Sequence, residues 1–171
     1  ASQKSNSFTF SPRYVYGSSK LSSATSLITS FTKMNNTIPG GMKNDIQNIY
    51  ATLNNTLMLM SSGWNFTGGL NYNSAKTSLN NLQSYGFVAG ISKSVLDNKL
   101  SLSNSNTLLW NVLDGKPNGN TYSIDLNGFY NFHPKHSVNF ALGYLYSPAN
   151  GVYNIRDFSQ TRIMLGYQYR F

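Results

Sequence analysis

The chain has 171 residues, 40% of them hydrophobic, and its 13 Lys and Arg against five Asp and no Glu give a formal net charge of +8. Cysteine is absent, so no disulfide, no Zn-thiolate site and no lipidated N-terminal Cys is expected. No run reaches the roughly 18 apolar residues of a transmembrane helix, but a strand that shows every second residue to lipid is expected to keep a low mean hydropathy. The 12 Tyr, 10 Phe and 2 Trp, set among many Ser, Asn, Thr and Gly, suit pleated strands and tight turns better than helices. The start, Ala1-Ser2-Gln3-Lys4-Ser5, shows no charged-then-apolar targeting segment, as expected of a mature secreted chain or of a piece of a longer one. The basic excess is not expected to be a nucleic-acid footprint, because Lys4, Lys20, Lys33, Lys43, Lys76, Lys99, Lys116, Lys135 and Arg156 are scattered singly at the N-terminus and beside turns. Such a rim suits anionic lipid headgroups.

In chain order, alternating polarity predicts nine strands. Phe8, Phe10, Tyr14 and Tyr16 form the first stripe. Residues 24–33 form the second, where Leu27, Ile28 and Phe31 settle on no one face. Ile49, Leu53, Leu57 and Leu59 define the third; Trp64, Phe66, Leu70 and Tyr72 the fourth; Tyr85, Phe87, Ala89 and Ile91 the fifth. Leu100, Leu102, Leu108 and Trp110 then alternate with Ser101, Ser103, Ser105 and Thr107. Tyr122, Ile124, Leu126, Gly128, Tyr130 and Phe132 form the seventh stripe, and Val138, Phe140, Leu142, Tyr144 and Tyr146 the eighth. The last, with Thr161, Ile163, Leu165, Tyr167, Tyr169 and Phe171 opposite Arg162, Met164, Gly166, Gln168 and Arg170, has the length of a tilted transmembrane strand.

Connections are expected to alternate between short (17–20, 61–63, 96–99, 133–136) and long (34–45, 74–82, 112–119, 147–157), as in barrels with short periplasmic turns and long outer loops. With the C-terminus in the periplasm, Tyr14, Tyr16, Trp64, Phe66, Tyr130, Phe132, Tyr167, Tyr169 and Phe171 gather at one membrane interface. Phe8, Phe10, Tyr72, Tyr85, Phe87, Trp110, Tyr122, Tyr144 and Tyr146 gather at the other. Lys93, expected as the one cation on a lipid-facing register, falls where its ammonium can snorkel to headgroups. The fold class is therefore all-β, an antiparallel transmembrane β-barrel of about 8–10 visible strands. Residues 1–171 form one domain or the C-terminal part of a larger barrel, since single-chain bacterial barrels have even strand numbers. A soluble β-sandwich is the competing reading, but its outer faces would carry more charge than these Ser, Thr, Asn and Gly faces do.

The closing run from Arg156 to Phe171, ending Leu165-Gly166-Tyr167-Gln168-Tyr169-Arg170-Phe171, resembles the C-terminal strand of bacterial outer-membrane barrels, especially large Bacteroidota ones. The resemblance is close over about the last sixteen residues and extends only in style to the rest. It implies a Gram-negative outer-membrane location, and it implies that Tyr167, Tyr169 and Phe171 form a signal read by the barrel assembly machinery.

Chemistry-bearing residues are few. His133 and His136 lie in one turn beside Pro134, where turn chemistry accounts for them, and two histidines without nearby carboxylates make no metal site. Nucleophilic catalysis needs a Ser held by an oriented base; none is legible, so no catalytic, cofactor or metal residue is assigned and the chain is expected not to be an enzyme. Pro39-Gly40-Gly41 reads as a turn, and the loop Pro148 to Asn154 offers a binding surface or a shield for the barrel mouth. The functional candidates are the interior charges Arg13, Arg162, Arg170 and Asp125, in a lumen that is open to water or plugged. The expected function is a passive, porin-like pore for small solutes, with modest anion preference if open; the alternative is an accessory subunit of an outer-membrane complex. Expected partners are the lipid bilayer and lipopolysaccharide, the assembly machinery and other outer-membrane subunits, with no nucleic acid and no cofactor.

Overall fold

A computed structural model describes residues 2–37, 43–148 and 156–170. The strands are β1 (Ser2–Phe10), β2 (Arg13–Gly17), β3 (Leu21–Thr37), β4 (Lys43–Leu59), β5 (Trp64–Lys76), β6 (Asn81–Val95), β7 (Leu100–Leu113), β8 (Lys116–His133), β9 (His136–Ser147) and β10 (Phe158–Tyr169). All are antiparallel in one sheet, in the order β1-β3-β4-β5-β6-β7-β8-β9-β10, with β2 also on β3. Consecutive pairing follows from connections too short for crossovers.

The sheet makes nine passes rather than ten, because β1 and β2 are one strand interrupted at Ser11-Pro12. The register runs straight through: Phe10 faces Thr29 and Arg13 faces Ser26. Between them the Leu27 N–H donates to Pro12 O at 3.1 Å, and Pro12 has no N–H to return. Proline is tolerated here because this strand is an edge of the sheet. The all-β, antiparallel expectation is met, and so is the stripe of Phe8, Phe10, Tyr14 and Tyr16. The second segment is longer than the expected 24–33. Leu27 and Phe31 face Leu53 and Ile49 on one side of the sheet, while Ile28 faces Thr52 on the other.

Strands touch only their ladder neighbours, and β1 and β10 do not meet, so the described sheet is a single open layer. Ala141 is the one buried apolar side chain among the described residues. Leu70, in the middle of the interior strand β5, is 60% exposed. A sandwich would bury it against a second sheet; a transmembrane wall leaves it to lipid.

The expected alternation of loop lengths does not hold. β5 and β6 are joined by residues 77–80, as tight as the 96–99 turn, and β7 and β8 by Asp114 and Gly115 alone. Asp114 (φ 50°) and Gly115 (φ 77°) both take the left-handed conformation of a type I′ hairpin, for which Asp-Gly is the favoured pair. The strands on this side zip further than expected: β3 and β4 run 17 residues and β8 18. A bulge with Gly119 at φ 83° absorbs the register shift between Trp110 and Val112. The two remaining connections, with Pro39-Gly40-Gly41 and residues 149–155, lie outside the described residues.

Candidate functional site

Register assigns every strand residue to one of two faces, since directly paired residues in an antiparallel ladder point the same way. On the polar face, Thr52 Oγ1 donates to Asn71 Oδ1 at 2.7 Å. Ser84 Oγ donates to Asn111 Oδ1 at 2.7 Å, and Asn111 Nδ2 to Thr121 Oγ1 at 3.2 Å. Thr52, only 3% exposed, is satisfied by its bond.

Arg13, Asp125 and Arg162 all lie on this face, and Arg170, just past β10, continues its register. The structure brings two of them together. Asp125, Gly143 and Arg162 occupy one row across β8, β9 and β10, and Arg162 Nη2 is 3.5 Å from Asp125 Oδ1. The row closes because its central residue is glycine: a Cβ on Gly143 would sit 2.9 Å from Asp125 Oδ1. A recess of about 260 Å³ surrounds the pair, with Ser123 and Gln160 on its walls. Both side chains are substantially exposed, so the pair adds little stability; its effect is on local charge. Arg170 lies instead beside Lys99, Asn131 and His133 around a separate recess of about 340 Å³ at the turn edge. Arg13 is exposed near the β1–β2 interruption.

The other face carries the aromatic side chains. Trp64 stacks with Phe66 (6.4 Å between centroids) and Tyr130 packs on Phe132 (6.1 Å) at the edge holding the 96–99 and 134–135 turns. Tyr167 and Tyr169 contact His136 there, whose Nδ1 is hydrogen-bonded to the Tyr167 hydroxyl. Toward the opposite edge Tyr72 pairs with Tyr85, Tyr85 and Phe87 pack on Trp110 (6.0 and 5.9 Å), Tyr122 pairs with Tyr146, and Tyr144 follows on the same register. Phe171 lies outside the described residues. In β5 the two bands are eight residues apart, about 26 Å along a strand, which at the usual barrel tilt of about 35–45° projects to about 20 Å of the roughly 25 Å apolar band of outer-membrane barrels.

Three features of this face went unread in the sequence. Asn104 and Asn106 share the register of Leu102 and Leu108, and Asn106 Nδ2 donates to Asn104 Oδ1. Asn55 also faces this way and donates to Ser23 Oγ (3.0 Å) and Thr25 Oγ1 (2.8 Å). The signal was present in the register, but an alternation read from apolar residues alone passes over polar residues at the same phase. Lys93 is not the one cation here: Lys4, Lys33 and Lys76 share the apolar register toward the opposite edge. His133 and His136 have ring centroids 5.2 Å apart.

Two comparisons give no match: neither a family model nor a curated protein is similar to this sequence. Solved structures do match. OmpT of Vibrio cholerae, an outer-membrane protein, is similar in an in-vitro folded form (TM-score 0.61, 11% identity, covering 93% of this chain and 63% of that one). The outer-membrane-expressed form is similar as well (TM-score 0.60, 11% identity, 92% and 63%). An anion-selective porin from Comamonas acidovorans matches at TM-score 0.59 and 16% identity, over 95% of this chain and 49% of that one. The fold is thus that of bacterial outer-membrane β-barrels, and the chain spans less than two thirds of the length of these neighbours. The same comparison corrects the expectation that the chain is not an enzyme. Its fold is shared with OmpT as well as with a porin, so the exclusion of catalysis drawn from the residues is withdrawn.

Proposed function

We propose that this chain forms part of the wall of an outer-membrane barrel that passes small solutes, with a weak preference for anions. One observation carries the reading. Among the described strand residues of the polar face, Asp125 is the single carboxylate and is already paired with Arg162, which leaves Arg13 and Arg170 uncompensated. Rings of like charge set selectivity in a water-filled pore. The anion-selective porin among the fold neighbours supports the same direction. An open sheet of nine passes needs further strands to enclose water, because about eight strands closed alone leave an interior filled by side chains.

In this reading the turn edge that holds 96–99 and 134–135 faces the periplasm, as does the C-terminus. Tyr167, Tyr169 and Phe171 present the assembly signal, and lipid and lipopolysaccharide cover the aromatic face. The unpaired edges of β1 and β10 favour a second reading, an accessory subunit that completes a barrel with other outer-membrane strands. Single-channel recording of the full-length native protein in planar bilayers separates the two. Steady conductance, with a reversal potential displaced toward that of the anion in a salt gradient, supports the pore; a silent bilayer with verified insertion rejects it.

A further inference from the structure

The apolar face holds a groove of about 410 Å³, within the range of ligand clefts. It opens between Trp64 and Phe140, and its floor is made by Ile91, Leu102 and Leu126. Beside it, Trp64, Lys93, Leu102, Gly128 and Phe140 occupy one row across five strands. The Phe140 ring folds over Gly128, covering the position that a Cβ there would take, and forms one wall of the groove. The lining is apolar except at one end, where Lys93 Nζ sits 4.6 Å above the Trp64 ring and Asn104 completes the floor.

Lys93 forms no ion pair among the described residues, although Asp97 lies in the adjoining turn. The neighbouring turns add Lys20, Lys99 and Lys135, so this edge is positive where the groove begins. Among the described strand residues of the apolar register, the carboxylate that a second copy would bring is Asp45, toward the opposite edge, and at this edge Asp97 is outnumbered by the lysines. A lipid with a negative headgroup offers both halves of the complement.

We infer that the groove is a binding site for an anionic glycerophospholipid, with an acyl chain seated on Ile91, Leu102 and Leu126 and the phosphate on the Lys93 ammonium. The inference rests on the membrane-spanning reading above and goes beyond it, since a barrel needs no selective lipid. The cation held on an indole face is placed to meet a phosphate at the interface, as basic pockets on membrane proteins do.

Trp64 reports on the site directly, and Trp110→Phe makes it the sole tryptophan. The full chain carrying that substitution is reconstituted into phosphatidylcholine vesicles with increasing brominated phosphatidylglycerol or brominated phosphatidylcholine, and Trp64 quenching is read as a relative association constant. The glycerol lipid is expected to be preferred at least threefold. Lys93→Gln is expected to bring the ratio to about one, and Asn104→Phe, which raises the groove floor and keeps the charge, to lower it as well. Equal quenching with Lys93 present, or a preference that survives Asn104→Phe, overturns the site while leaving the barrel intact. Quenching by neither lipid, with water-exposed Trp64 emission, overturns the membrane reading itself. Trp64 shielded from both lipids in a cross-linkable oligomer assigns the groove to a second copy and overturns the lipid.

Discussion

Asp125 and Arg162 face each other across the bare backbone of Gly143, 3.5 Å apart. Side chains at this exposure are worth about 0 to 1 kcal/mol as an ion pair, so Asp125→Asn is expected to change unfolding free energy by less than about 1 kcal/mol. Its effect belongs to permeation: it frees the Arg162 charge and is expected to increase anion preference, while Arg162→Gln is expected to reduce it. Reversal potentials of the two variants in the same salt gradient check both directions.

Gly143→Val puts a side chain where the Asp125 carboxylate sits. Overpacking of this kind costs about 1 to 3 kcal/mol, and the substitution is expected to destabilise the protein more than Asp125→Asn does. Urea unfolding in lipid vesicles compares the two. Equal losses would mean that the row has room that the structure does not show.

The apolar face is expected to be depth-sensitive. Leu70 lies mid-strand and 60% exposed, and Leu70→Arg is expected to cost about 2 to 4 kcal/mol if lipid covers it. On a water-facing surface the change would be within about 0.5 kcal/mol. Unfolding of the two proteins in vesicles distinguishes these cases.

Much of this arrangement was legible in the sequence. Alternation located the nine passes and put Arg13, Arg162, Arg170 and Asp125 on the face opposite the aromatic residues, because side-chain direction in a strand has a fixed period of two. Loop lengths were not legible by composition. Residues 112–119 look like a polar loop, yet Asp114-Gly115 dictates a two-residue hairpin and the flanking residues pair. Cross-strand neighbours also needed the register. Asp125 and Arg162 are separated by a whole strand, and only pairing through Gly143 makes them partners.

The tight hairpin gives its own test. Gly115 at φ 77° is in a conformation that β-branched residues avoid, and Asp114 Oδ1 also accepts from the Asn81 N–H at the start of β6 at 2.7 Å. Gly115→Val is expected to destabilise by about 1 kcal/mol or more, and Asp114→Ala by about 1 kcal/mol through the lost hydrogen bond. Backbone hydrogen exchange of Asn81 is expected to rise in Asp114→Ala. Unchanged exchange there would contradict the contact.

A sheet that is a membrane wall has one lipid-facing and one water-facing side, and β6 carries residues of both kinds in strict alternation. Single spin labels at consecutive positions from Ser84 to Ile91, in the full chain reconstituted into vesicles, are read for accessibility to oxygen and to a water-soluble nickel complex. The expected result is a period of two, with oxygen favoured at 85, 87, 89 and 91 and nickel at 84, 86, 88 and 90. Equal access of the nickel complex to both sets would contradict a transmembrane sheet.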